Sequence, residues 1–144
     1  MWYSFLFPTR LNDDRKASAL LLALRILFGL LLMSHGLQKL SGFDMLAQGA
    51  FPDPLGIGSE ASVSLAIFGE LFCSIAFLFG FLYRLSMLPM LVTLLVAFLF
   101  VHKGSIAEGE LAFVYLLSFI ALYVAGPGRY SIDSLIAKRL KKNA

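Results

Sequence analysis

Four long apolar stretches separated by short polar ones set the pattern along the chain. They run from Ala17 to Leu40, Ala61 to Tyr83, Leu85 to Val101 and roughly Gly109 to Ala125. A membrane-spanning helix needs about 20 residues, within a range of about 17–25, at roughly 1.5 Å per residue. The first two stretches exceed that length, and the last two sit near its lower limit. Tyr83-Arg84-Leu85 joins the second and third so tightly that they must be antiparallel neighbours. Ser41 to Ser59, with Pro52, Pro54 and four glycines, reads as a loop with a short interfacial piece at Phe43 to Leu46. Gly126-Pro127-Gly128 ends the fourth stretch, because proline cannot continue a helix and glycine permits the turn. Ile132 to Lys142 reads as a short amphipathic basic helix on the membrane surface. The predicted fold is all-α, an integral membrane four-helix bundle over 17–128. An N-terminal interfacial segment (1–16) precedes it and a basic amphipathic tail (129–144) follows it.

Composition narrows the class. The chain has 144 residues, 59% of them hydrophobic and 15% charged, against roughly 45–50% and 25% in soluble domains. A soluble domain this small has too little interior to hide so much apolar surface. That excludes a soluble enzyme, a disordered tail and a secreted disulfide scaffold. A single cysteine, Cys73, allows no internal disulfide and reads as a packing residue. The apolar run after Arg15-Lys16 is too long for the core of a signal peptide, so the first span is expected to stay in the mature protein. Nine Lys and Arg flank the spans on one side and two, Lys39 and Lys103, on the other. Both termini are therefore expected to face the cytoplasm. Basic residues at helix flanks suit a lipid bilayer, and no nucleic-acid partner is expected.

Ionisable residues inside spans are costly and need a partner or a purpose. Counted from the span ends, Arg25 and Glu70 fall at nearly the same depth on antiparallel helices, which predicts a buried Arg25–Glu70 ion pair. Arg25, Gly29, Leu32, His35, Gly36 and Lys39 share one helical stripe, and Val63, Ala66, Glu70, Cys73 and Phe77 share another. The small residues among them allow close approach. A second polar cluster closes the outer end. There His35, Lys39, His102 and Glu110 are the candidate lining of an outward-open pocket, with Glu70 below it. The plainer alternatives are a structural ion pair that fixes helix register and a rim of snorkelling side chains. Two histidines without a spaced motif make no metal or haem site, so none is expected. No GxGxxG, Walker A, HExxH or CxxCH motif is present, so no cofactor is bound by a recognisable signature.

Several motifs in fixed order resemble one family. Arg25-Ile-Leu-Phe-Gly29 is followed by His35-Gly36-Leu-Gln-Lys39, then Gly69-Glu70, then Phe79-Gly80-Phe-Leu-Tyr-Arg84, then Gly126-Pro127-Gly128-Arg129-Tyr130-Ser131-Ile132-Asp133. Over about Ala19 to Leu135 the chain resembles the DoxX family of small bacterial four-helix membrane proteins. The resemblance implies a bacterial cytoplasmic (inner) membrane protein associated with redox work, at most a non-catalytic or quinone-interacting subunit of a membrane oxidoreductase. In that reading quinone is the expected ligand, with His35 or Lys39 donating to a carbonyl oxygen and Glu70 relaying protons. A partner redox protein supplies electrons, and self-association remains open. Two competing functions stand beside it: a small proton-coupled exporter built on Glu70, and an assembly scaffold with no small ligand. A lone Glu70 would favour transport, and an Arg25-paired Glu70 a fixed bundle.

Overall fold

The computed structural model describes residues 14–142, so all but the last three residues of the expected N-terminal segment (1–16) lie outside the described residues. The described chain is all-helical. α1 spans Arg15–Ser41 and α2 is the short Phe43–Met45, continued by one wide π-type turn, Leu46–Ala50. α3 spans Ser59–Phe79, α4 Tyr83–Val101, α5 Ile106–Ala125 and α6 Ile132–Lys142. The four long helices α1, α3, α4 and α5 are each long and apolar enough to cross a membrane. The chain is therefore a helical membrane bundle, with two ends. The hairpin end carries the α3–α4 turn and α6. The loop end carries α2 and the α4–α5 turn.

Local chemistry moves several helix ends away from their expected places. Asp14 caps α1, its carboxylate accepting from Lys16 N at 2.8 Å and Ala17 N at 3.4 Å, so the helix starts at Arg15 and not Ala17. The second span was expected to reach Tyr83, but α3 stops at Phe79. Gly80 there adopts the left-handed conformation at φ 63°, open to glycine at little cost. The hairpin falls at Gly80–Leu82. α4 restarts because Asp133, reaching across from α6, accepts from Leu82 N at 2.9 Å and Tyr83 N at 2.8 Å. A residue fifty positions away supplies the N-terminal cap. α5 begins at Ile106, three residues before the expected Gly109, and ends at Ala125 before Gly126 at φ 89°.

Packing follows the small-residue faces. A Cβ on Gly29 would meet Leu78 Cδ2 at 2.7 Å, and one on Gly36 would meet Leu71 N at 2.8 Å. α1 and α3 therefore approach closely along Gly29 and Gly36. The core of the hairpin half is aromatic: Phe77 stacks on Tyr83 at 5.3 Å and meets Phe119 edge-on at 5.2 Å. Leu32, Met87 and Met90 fill the rest. A smaller cluster of Val63, Ile67 and Leu71 holds Phe43, Leu46, Ala47 and Phe51 against the loop end. Outward positions such as Leu27, Leu65, Phe72, Leu85, Val92 and Leu117 are exposed apolar side chains, as lipid contact requires.

Candidate functional site

The expected Arg25–Glu70 pair does not form. The glycine contacts fix the register, with Gly29 against Leu78 and Gly36 against Leu71. Arg25 then stands at the hairpin, just past the end of α3, and Glu70 opposite Leu37. Twelve residues of helix separate the two levels, about 18 Å at the α-helical rise. Depth counted from the apolar limits failed because α1 runs past the end of α3 at the hairpin, so the ends of the two helices are not level.

Arg25 instead closes the hairpin end. Its guanidinium donates to Leu78 O from Nε at 3.2 Å and Nη2 at 3.1 Å, to Pro127 O from Nη1 at 2.6 Å, and to Tyr130 O from Nη2 at 2.8 Å. Those oxygens are the carbonyls a helix C-terminus and a Gly-Pro-Gly turn leave unmade. Gly80 lies beneath, where a Cβ would come within 2.5 Å of Ser131 Cβ and 2.9 Å of Arg25 Nη1. Ser131 caps α6 by accepting from Ser134 N at 3.2 Å. Burial raises the Asp133 carboxyl above its ordinary pKa, against the pull of its two backbone donors. All of this is structural.

Glu70 pairs with Lys39. Lys39 Nζ lies 2.5 Å from Glu70 Oε2, with side chains 24% and 9% exposed. Glu70 sits in a wide π-type turn, Phe68–Phe72, inside α3. Such turns inside helices often mark functional sites. Beside it Gly69 packs on Pro89 O and Thr93 Oγ1 of α4.

This pair forms the floor of a cavity of about 280 Å³ between α3 and α4, near the lower limit of small-molecule sites. Ser62, Thr93 and His102 add polar groups, while Leu65, Ala66, Val92, Val96, Ala97 and Val101 supply apolar walls. Leu65, Val92 and Val101 are also exposed on the outer face of the bundle, so the cavity opens sideways between the helices. Phe51, Pro52, Pro54 and Leu55 cover its loop end. Asp53 anchors that cover, accepting from Gly58 N at 2.8 Å, Ile57 N at 3.0 Å and Ser62 Oγ at 2.8 Å. These donors, Gly58 N–H first, hold its carboxyl below the ordinary range.

Of the four expected lining residues, the structure brings Lys39 and His102 together and adds Glu70. His35 is not in the lining. Leu32 and Gly36 face α3, and His35, one position off that line, turns toward α5 and meets Tyr115 edge-on at 6.0 Å. Glu110 is exposed, because Gly109 is the inward residue and packs on His102. Sequence reasoning missed Asp53, Ser62 and the Phe51–Leu55 cover. A carboxylate shortly before Gly58-Ser59, where a helix starts, was the available signal.

Fold and site define a small four-helix membrane protein with an ion pair under a laterally open apolar cavity. The DoxX family model matches residues 20–103, more than half the chain, and the chain belongs to the DoxX family. Inner membrane protein YqjF of Escherichia coli is 34% identical over 82% of this chain and 92% of its own length. An uncharacterized membrane protein of Mycobacterium tuberculosis is 28% identical over 92% of this chain and 90% of its own. A Haemophilus influenzae protein, also uncharacterized, is 29% identical over 82% and 83%. No solved structure matches the chain at a significant level.

Proposed function

We propose that this protein is a non-catalytic membrane subunit of a redox system, which seats the headgroup of a lipid-soluble quinone in the α3–α4 cavity. The observation that carries the reading is the Lys39–Glu70 pair beneath apolar walls that open sideways toward lipid. A water-soluble substrate has no need of a lateral entrance, whereas a ligand dissolved in the bilayer does. The residues present fit such a headgroup. Lys39 donates to a ring carbonyl oxygen, Val96 and Ala97 face the ring, and His102 stands at the outer rim. When bound, the quinone supplies a two-electron, two-proton carrier. The chain's own part is to bind, orient and exclude water, with Glu70 able to exchange a proton beside the ring. Electrons come from a partner redox protein.

The membrane in this reading is the bacterial inner membrane, as in the name of the Escherichia coli relative, with both termini cytoplasmic. The exporter reading is the weaker one, because Glu70 is not alone but held by Lys39. Calorimetric titration of the purified protein with short-chain ubiquinone and menaquinone tests the proposal. Saturable binding that weakens tenfold or more in Lys39→Met is expected. Absence of saturable binding with both quinones would overturn it.

A further inference from the structure

α6 lies at the foot of the bundle. Asp133 and Ser134 are buried against the hairpin. Ile132 and Leu140 are exposed and apolar, with the half-buried Ile136 between them. Lys138, Arg139, Lys141 and Lys142 are exposed. At 100° per residue Ile132, Ile136 and Leu140 fall within about 80° of one another and the four cations within about 160° on the other side, with Leu135 among the cations, so the helix presents an oily edge and a cationic edge together. Its height is fixed. Asp133 N donates to Gly80 O at 3.0 Å, and the Asp133 carboxylate caps α4. The first turn of α6 is thus tied to the level where α3 ends and α4 begins. Phe79, Phe81, Leu82 and Leu85, all exposed and apolar, surround that level, so lipid-facing side chains reach the first turn of α6.

We propose that α6 is a binding surface for anionic phospholipid headgroups, with Ile132 and Leu140 in the acyl boundary and Lys138, Lys141 and Lys142 on the phosphates. Charge complementarity selects the partner. Among the described residues the exposed acid at this end is Asp14, whereas Arg139 and Arg129 add to the cationic side. A basic helix meant for a nucleic acid would not need an exposed apolar edge beside its charges. An amphipathic helix at a membrane surface needs both, and its attraction to the bilayer depends on lipid charge. Because α6 caps α4 through Asp133, lipid held by α6 also favours the closed hairpin, by the general rule that whatever binds the folded state stabilises it.

Full-length protein in nanodiscs of phosphatidylcholine, with or without phosphatidylglycerol, tests this by amide hydrogen exchange and thermal unfolding. Phosphatidylglycerol should slow exchange over 135–142 several-fold and raise Tm by several degrees. The variant Lys138→Gln/Lys141→Gln/Lys142→Gln should fold normally in neutral discs and lose both effects, while Lys103→Gln at the opposite end keeps them. Equal exchange in the two lipids would overturn the proposal, as would a triple variant that still responds. So would full protection produced in neutral discs by inorganic phosphate or by a short RNA.

Discussion

Two charged residues inside the apolar spans were legible in the sequence as costly; their partners were not. Glu70 finds Lys39, and Arg25 finds three carbonyl groups. The difference arises because partner choice depends on register, which the fit of Gly29 and Gly36 against α3 decides. Arg25 and Glu70 therefore act independently. Arg25→Met strands three carbonyls in a buried site and should cost about 3–5 kcal/mol. In a cycle with Glu70→Gln, measured by unfolding in detergent micelles, the two costs should add within about 0.5 kcal/mol. Coupling above that size would restore the direct pair. Lys39 and Glu70 should behave differently. Lys39 is a quarter exposed and can reach water without its partner, whereas Glu70 is nearly buried. Lys39→Met should then destabilise by about 2–4 kcal/mol and Glu70→Gln by about 1 kcal/mol or less. The double variant should recover most of the loss.

At the scale of elements, the four spans, the closing Gly-Pro-Gly turn and the amphipathic tail were all readable from periodicity and length. The exact hairpin was not, because its stop is a left-handed glycine and its restart is a carboxylate from a distant helix. Gly80 and Gly104 separate the two demands on such a glycine. Both have positive φ, at 63° and 69°, but a Cβ on Gly104 would meet nothing within 4 Å while one on Gly80 would meet Ser131 and Arg25. Gly104→Ala should cost about 1 kcal/mol from backbone strain alone. Gly80→Ala should cost at least twice that in the same melting experiment. The loop cover carries a pH signature through Asp53. Its folded pKa is depressed, so its anchoring is fully present above the ordinary carboxyl value of about 3.9 and is lost as pH falls through the lower, folded value. Hydrogen exchange over 51–58 should stay constant from neutral pH down to about 5, after correction for intrinsic rates, and rise only below about 4. Asp53→Ala should show the fast exchange at every pH.

For the whole molecule, composition placed the chain in lipid, and the motif order placed it in its family. What composition could not show is where space remains inside the bundle. The cavity lies on the loop side of the close contact that Gly69 makes with Pro89 and Thr93, between Ser62, Leu65 and Ala66 of α3 and Val96, Ala97 and Val101 of α4, and the Phe51–Leu55 loop, far upstream in sequence, covers it. The central claim is that this space seats the headgroup of a lipid-soluble ligand. Ala97 lines it without contributing a polar group, so Ala97→Trp fills the cavity and leaves the Lys39–Glu70 pair in place. The decisive measurement is the Tm of wild type and Ala97→Trp in micelles, each with and without a short-chain quinone. The account predicts that quinone raises the wild-type Tm by several degrees and leaves Ala97→Trp unmoved, with the two proteins melting close together in its absence. An equal rise in both proteins would contradict it, and so would none in the wild type.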